Sequence, residues 1–148
     1  TDLLRSFSRL LNVPNVPINK DTAVDKLLEV DQKVFVDTSF DINETLKTIA
    51  LLKTKVSAGN FLAILVVPCG SNKYYLETLC KNYRHLNPMV IFTKTDENFI
   101  SPEELSCIAD HNLRIGCITG TRSILNSLSF LNDVSLAQYL KESLKEIG

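Results

Sequence analysis

The chain has 148 residues, 45% hydrophobic and 22% charged, with a formal net charge of -1. These values describe an ordinary globular chain, long enough to bury roughly 70% of its unfolded surface around one core. The near-zero charge removes the electrostatic footprint of a nucleic-acid-binding protein, so no nucleic acid partner is expected. The longest apolar run, "FLAILVVPC" from Phe61, is about half of the roughly 18 residues a membrane span needs, and no segment reads as a signal peptide.

In chain order, Asp2 to Leu11 places Leu3, Leu4, Phe7, Leu10 and Leu11 at helical spacing on one face. Pro14 and Pro17 stop that helix, and Val16 to Ile18 reads as a short edge strand. Asp21 caps a short helix over "TAVDKLLEV", and "KVFVDTS" from Lys33 is the first clear strand, being β-branched and aromatic. Asp41 or Asn43 opens a long amphipathic helix that Gly59 is expected to end. The apolar run 61–68 is a buried strand, Ser71 the cap of a helix to Leu86, and 88–94 the next strand. Ser101-Pro102-Glu103-Glu104 carries a helix start: a Ser cap, Pro in the first turn and Glu at the third position. "RIGCITG" reads as a strand and "SILNSL" as a short helical turn, and Asp133 caps the last helix.

Apolar strands separated by amphipathic helices imply a single α/β domain over residues 1–148, with a mostly parallel sheet covered by helices on both faces. The four cysteines, Cys69, Cys80, Cys107 and Cys117, form no CxxC pair and match no zinc spacing, so they read as reduced, buried thiols of a cytosolic protein. His85 and His111 each follow a helix and are expected to complement its C-terminal end, and Tyr74 and Tyr75 to pack on the sheet.

Ligands of parallel α/β sheets bind beyond the carboxyl ends of the strands. The exits here are Asp37-Thr38-Ser39, Pro68-Cys69-Gly70-Ser71, Thr93-Lys94-Thr95-Asp96 and Thr119-Gly120-Thr121. An Asp at one strand end and T-K-x-D at a later one have a chemical meaning together. A carboxylate matches the N1–H and exocyclic amine of guanine with its two oxygens and leaves adenine unmatched.

On these motifs the chain resembles the GTPases of the signal-recognition-particle type, and within them the flagellar, FlhF-like branch. "VFVDTS" is similar to the family's strand ending in D-T-A-G, and "FTKTDEN" to its T-K-L-D-E segment. "CITGT" is similar to its closing loop, and the order covers about residues 2 to 145. The resemblance implies the latter part of a P-loop NTPase G domain. Thr93, Lys94 and Asp96, with Thr119 and Gly120, would hold guanine, and Asp37 and Thr38 would stand on the Mg side. GTP or GDP with Mg is the implied cofactor set of the full-length protein. The implied role is flagellar biosynthesis or protein targeting, in the cytoplasm or peripherally at the inner face of the cell membrane. An SRP-type GTPase, a membrane-targeting protein or a flagellar protein would be the partner, and an exposed sheet edge would favour a homodimer.

The departures are equally definite. No G-x-x-x-x-G-K-[ST] occurs, and Phe40 stands where the family has a glycine. Without that loop the chain alone is expected to be inactive, with no catalytic residue of its own and with nucleotide binding itself open. Because it starts at Thr1, the phosphate loop is expected upstream in a longer protein; alternatively the domain is a degenerate pseudo-GTPase, an interaction module that binds a protein partner and no nucleotide.

Overall fold

The computed structural model describes residues 2–16, 33–38, 41–120 and 127–147. They divide into two compact units, Thr1–Phe61 and Leu62–Gly148. The expected edge strand at 16–18, the helix after Asp21 and most of the turn at 123–128 lie outside the described residues or at their margin. No described helix is long and apolar enough to cross a membrane.

In the first unit α1 spans Asp2–Leu10. Leu4, Phe7, Leu10 and Leu11 are exposed, so the apolar face that its spacing creates is not buried. Residues 33–38 form no strand: among the described residues they pair with no neighbour, and Phe35 is 86% exposed. Their β-branched composition favours extended backbone, but a strand also needs a partner for its N–H and C=O groups. Helix α2, Ile42–Lys55, starts as expected at Asp41, whose carboxylate accepts from Glu44 N at 2.8 Å. It ends at Val56, not Gly59; Gly59 falls in a separate 3₁₀ turn, Ala58–Asn60.

The second unit holds an α/β sheet of four strands in the order β1 (Ile64–Pro68), β2 (Met89–Thr93), β3 (Arg114–Thr119) and β4 (Leu128–Phe130). The first three are parallel and β4 is antiparallel to β3, with Cys117 opposite Phe130. The register slips between Val90 and Ile91, where Gly116 is the extra residue on β3. The slip keeps Ile115 and Ile118, three positions apart, both on the core side.

The connecting helices are α3 (Lys73–Tyr83, extended by a 3₁₀ turn at Arg84–Leu86), α4 (Pro102–Asp110) and α5 (Asp133–Ile147). Their starts show how local chemistry sets boundaries. Ser101 and Glu104 form the expected capping box. Asn72 caps α3 by accepting from Tyr74 N at 2.8 Å, so Ser71 is not the cap. Asn132 caps α5, where Ser135 N donates to Asn132 Oδ1 and Asn132 N donates to Ser135 Oγ, both at 2.8 Å. That reciprocal pair displaces the expected Asp133 by one residue.

Val67, Val90 and Phe92 of the strands meet Leu76 and Cys80 of α3 and Cys107 and Ile108 of α4 in one core, to which α5 adds Tyr139. These helices therefore cover one face of the sheet. Alternate residues point the other way, and Val66 and Phe130 are 56% and 75% exposed, so cover on both faces is not met within this unit. Tyr74 is 82% exposed and Tyr75 half exposed, which corrects the expectation that they pack on the sheet: α3 turns Leu76 and Cys80 inward instead. All four cysteines are free and buried.

Candidate functional site

Beside the exits of β2 and β3 lies an open cleft of about 200 Å³ lined by Thr95, Asp96, Ile118, Thr119, Gly120, Ser127 and Ser129. A larger depression, of about 560 Å³, runs along one side of α5 from Asp133 to Lys141 and draws on no other element. The cleft is the place where groups from separate strands converge, and it contains three of the five residues read as guanine-binding. Thr93, the last residue of β2, and Lys94 lead directly into it.

The turn is held by backbone bonds. Thr95 N donates to Thr119 O at 3.3 Å, tying the two exits together, while Glu97 N and Asn98 N both donate to Lys94 O, at 3.0 and 3.1 Å. Lys94 has a left-handed backbone, φ 60°. The other described non-glycine residues with positive φ, Asn12, Asn87 and Asn112, are asparagines at the ends of helical turns, where that conformation is cheap. Lys94 leaves a strand and carries a long side chain, so its conformation is imposed by the turn. Its Nζ is 3.7 Å from Glu97 Oε2, an exposed pair of small energetic value.

Gly120 is required by close approach. A Cβ there would collide with Thr95 Oγ1 and with the backbone nitrogens of Thr95 and Asp96. The glycine lets the β3 exit lie directly against the 93–96 turn, and the exposed Asp96 stands at the rim of the resulting cleft.

Glu104 joins two neighbouring loops. Buried, it accepts from Ser71 N with Oε1 at 3.1 Å and from Ser101 N with Oε2 at 2.8 Å. The β1 exit thus already spends its Ser71 N–H on an internal carboxylate. Burial first, and then the neighbouring Glu104 charge, push the Cys69 thiol in that exit up to about 12. Asp37 and Thr38, read as the Mg side, belong to the first unit, in a stretch without helix or strand.

The residues therefore fit part of the implied ligand. Asp96, Thr119 and Gly120 offer a carboxylate, a hydroxyl and a flat glycine surface around a space smaller than the roughly 300–1,000 Å³ of pockets that enclose whole ligands, which suits a base. The sequence supplies no phosphate cradle, and the described loops offer no Gly-Lys-Ser/Thr turn. No step of phosphate chemistry follows from these residues.

A second cluster, absent from the sequence reading, lies between α3 and α4. Glu77 Oε1 is 3.1 Å from His111 Nε2, and Glu77 Oε2 accepts from Cys107 Sγ at 3.2 Å. Hydrogen bonds from Cys107 and then His111 hold the Glu77 carboxyl below its usual range, whereas burial and that same bond push the Cys107 thiol up to about 12. His111 does receive the end of α4 through its backbone, donating N–H to Cys107 O, but its ring is 7% exposed and turned to Glu77, so it is no solvent-facing cap. The sequence signals were Cys107-x-x-x-His111 and Glu77-x-x-Cys80, each one helical turn; only packing of the two helices joins them.

No family model matches the chain, and no curated protein matches it.

Proposed function

We propose that this chain is the guanine-side portion of an SRP-type, FlhF-like GTPase domain and that the cleft at the β2 and β3 exits recognises a guanine base. The observation that carries the reading is the convergence of Asp96 with Thr119 and Gly120 across two strand exits, with Lys94 held in a costly left-handed turn beside them. Asp96 would accept from the two guanine donors, Gly120 would lie against the ring, and Thr93 and Lys94 would brace the turn. Asp37 and Thr38 would join through Mg only in a protein with a phosphate loop, and GTP or GDP binding there would serve flagellar assembly or membrane targeting.

The test is a titration of a fluorescent GDP analogue, competed by GDP and ADP, on the parent chain and on Asp96→Asn. The substitution exchanges one acceptor oxygen for a donor. Losing one hydrogen bond to a charged group, worth about 1.5–3 kcal/mol, corresponds to roughly 10- to 100-fold weaker guanine binding. Equal competition by GDP and ADP in the parent chain would refute the reading.

A second reading, an interaction module that binds a protein and no nucleotide, draws on the missing phosphate loop and on the exposed sheet residues Ile64, Val66 and Phe130. Among the described residues β1 pairs on one side only, so a second copy could add there. A homodimer in light scattering together with no guanine preference would favour this reading.

A further inference from the structure

The cluster between α3 and α4 has the composition of a transition-metal site. Among the described residues it is the group of His, Cys and carboxylate side chains whose ligand atoms all lie within 4.8 Å of one another: Glu77, Cys107 and His111. Cys80, fully buried one turn beyond Glu77 on the same helix, lies outside that group and completes the donor set by turning its thiol toward it. We propose that Glu77, Cys80, Cys107 and His111 form a closed, structural zinc site that clamps α3 to α4.

Three observations carry this. The first is spacing. Zinc bonds of roughly 2.0–2.3 Å in a tetrahedron place ligand atoms roughly 3.3–3.8 Å apart. The Glu77 Oε1–His111 and Glu77 Oε2–Cys107 separations of 3.1 and 3.2 Å are close to that, and all three ligand atoms lie within 4.8 Å of one another. The second is an unsatisfied ring. His111 is buried, one nitrogen faces Glu77, and Nδ1 has no hydrogen-bond partner. A buried nitrogen left without a partner is costly, so the ring's present hydrogen bond does not by itself account for its burial. The third is charge. Two thiolates, one carboxylate and a neutral imidazole around Zn²⁺ leave a net charge of about -1. Lys81 Nζ, 3.4 Å from Glu77 Oε1, stands where it can offset that charge.

Binding is proton-coupled. Each thiol gives its proton to solvent as its sulfur bonds zinc, so one ion releases two protons and no redox partner is involved. Cys80 and Cys107 are buried and leave no position open for substrate, which makes the site structural, independent of the guanine cleft.

The experiment uses the 148-residue protein, reduced and stripped of metal by a chelator, then titrated with cobalt(II) and afterwards with zinc(II). A thiolate-to-cobalt charge-transfer band is expected to saturate at one equivalent and to vanish as zinc displaces cobalt. It is expected to be lost in Cys107→Ser and His111→Ala and kept in Cys117→Ser. Glu77→Gln, on a partly exposed side chain that leaves the core alone, is expected to weaken binding at least about tenfold. Free zinc at 100 times its Kd should shift the unfolding equilibrium by about 100-fold toward the folded protein. The proposal is overturned if the parent protein gives no thiolate band at one equivalent, if the band survives Cys107→Ser, or if zinc leaves the unfolding midpoint unchanged. The parent titration decides the matter even where a cysteine variant does not fold.

Discussion

Replacing Gly120 by Ala tests whether the two strand exits are in the contact described. The new methyl group meets Thr95 Oγ1 and, more importantly, the backbone nitrogens of Thr95 and Asp96, which cannot rotate away. Overpacking against a fixed wall costs about 1–3 kcal/mol. Relief requires the 93–96 turn to retreat, which breaks the Thr95 N to Thr119 O bond, a further loss of about 0.5–1.5 kcal/mol. The expected destabilisation is therefore about 2–4 kcal/mol. Gly116→Ala is the internal comparison, because its methyl group meets only side-chain atoms of Met89, chiefly Sδ and Cγ. Relief there needs a new rotamer of that side chain and no retreat of backbone, within the range of about 1–3 kcal/mol for overpacking alone. Urea unfolding followed by far-UV circular dichroism measures both. The reasoning fails if Gly120→Ala lies within about 0.5 kcal/mol of the parent, the range of an ordinary surface change, or costs less than Gly116→Ala.

Two further outcomes follow from the same unit. Glu104→Gln keeps one acceptor oxygen and should lose about 1.5–3 kcal/mol, and Glu104→Ala, which orphans the N–H groups of both Ser71 and Ser101, about twice that; equal effects in urea unfolding would contradict the two-bond arrangement. Because the Cys69 thiol is raised from 9.0 to about 12, the folded state holds that proton where the unfolded state releases it. Its contribution is full below about pH 9 and is lost as pH rises toward about 12, so Cys69→Ala should flatten the fall in unfolding midpoint across that window; an unchanged slope would oppose the assignment.

Much of the local structure is legible in the residues. Ser101, Pro102 and Glu104 announce a helix start because every group in a capping box lies within four positions. The apolar runs at 61–68 and 88–94 read as buried strands; strands form at 64–68 and 89–93, but β1 buries only one side, with Ile64 and Val66 exposed. The choice between Asn132 and Asp133, or Ser71 and Asn72, rested on side-chain reach that neighbouring polar residues share equally. T-K-x-D was likewise visible as a motif, since its four residues are contiguous at the end of β2 and the start of the following turn.

Pairing and packing between distant residues decided the rest. The sequence 33–38 has strand composition, yet composition cannot provide the partner that hydrogen-bonds a strand, and these residues find none among the described residues. Gly116 was an unremarked strand glycine until the β2–β3 register made it a bulge. Cys80 and Cys107, 27 positions apart, showed no metal spacing because spacing rules describe ligands on one loop or helix. Only the sheet, by laying α3 beside α4 on one face, brings Glu77, Cys107 and His111 together. Short-range chemistry was thus written in the chain itself, and long-range juxtaposition arose from burial of a shared apolar core, which has no direction of its own and is resolved only when all the elements pack at once.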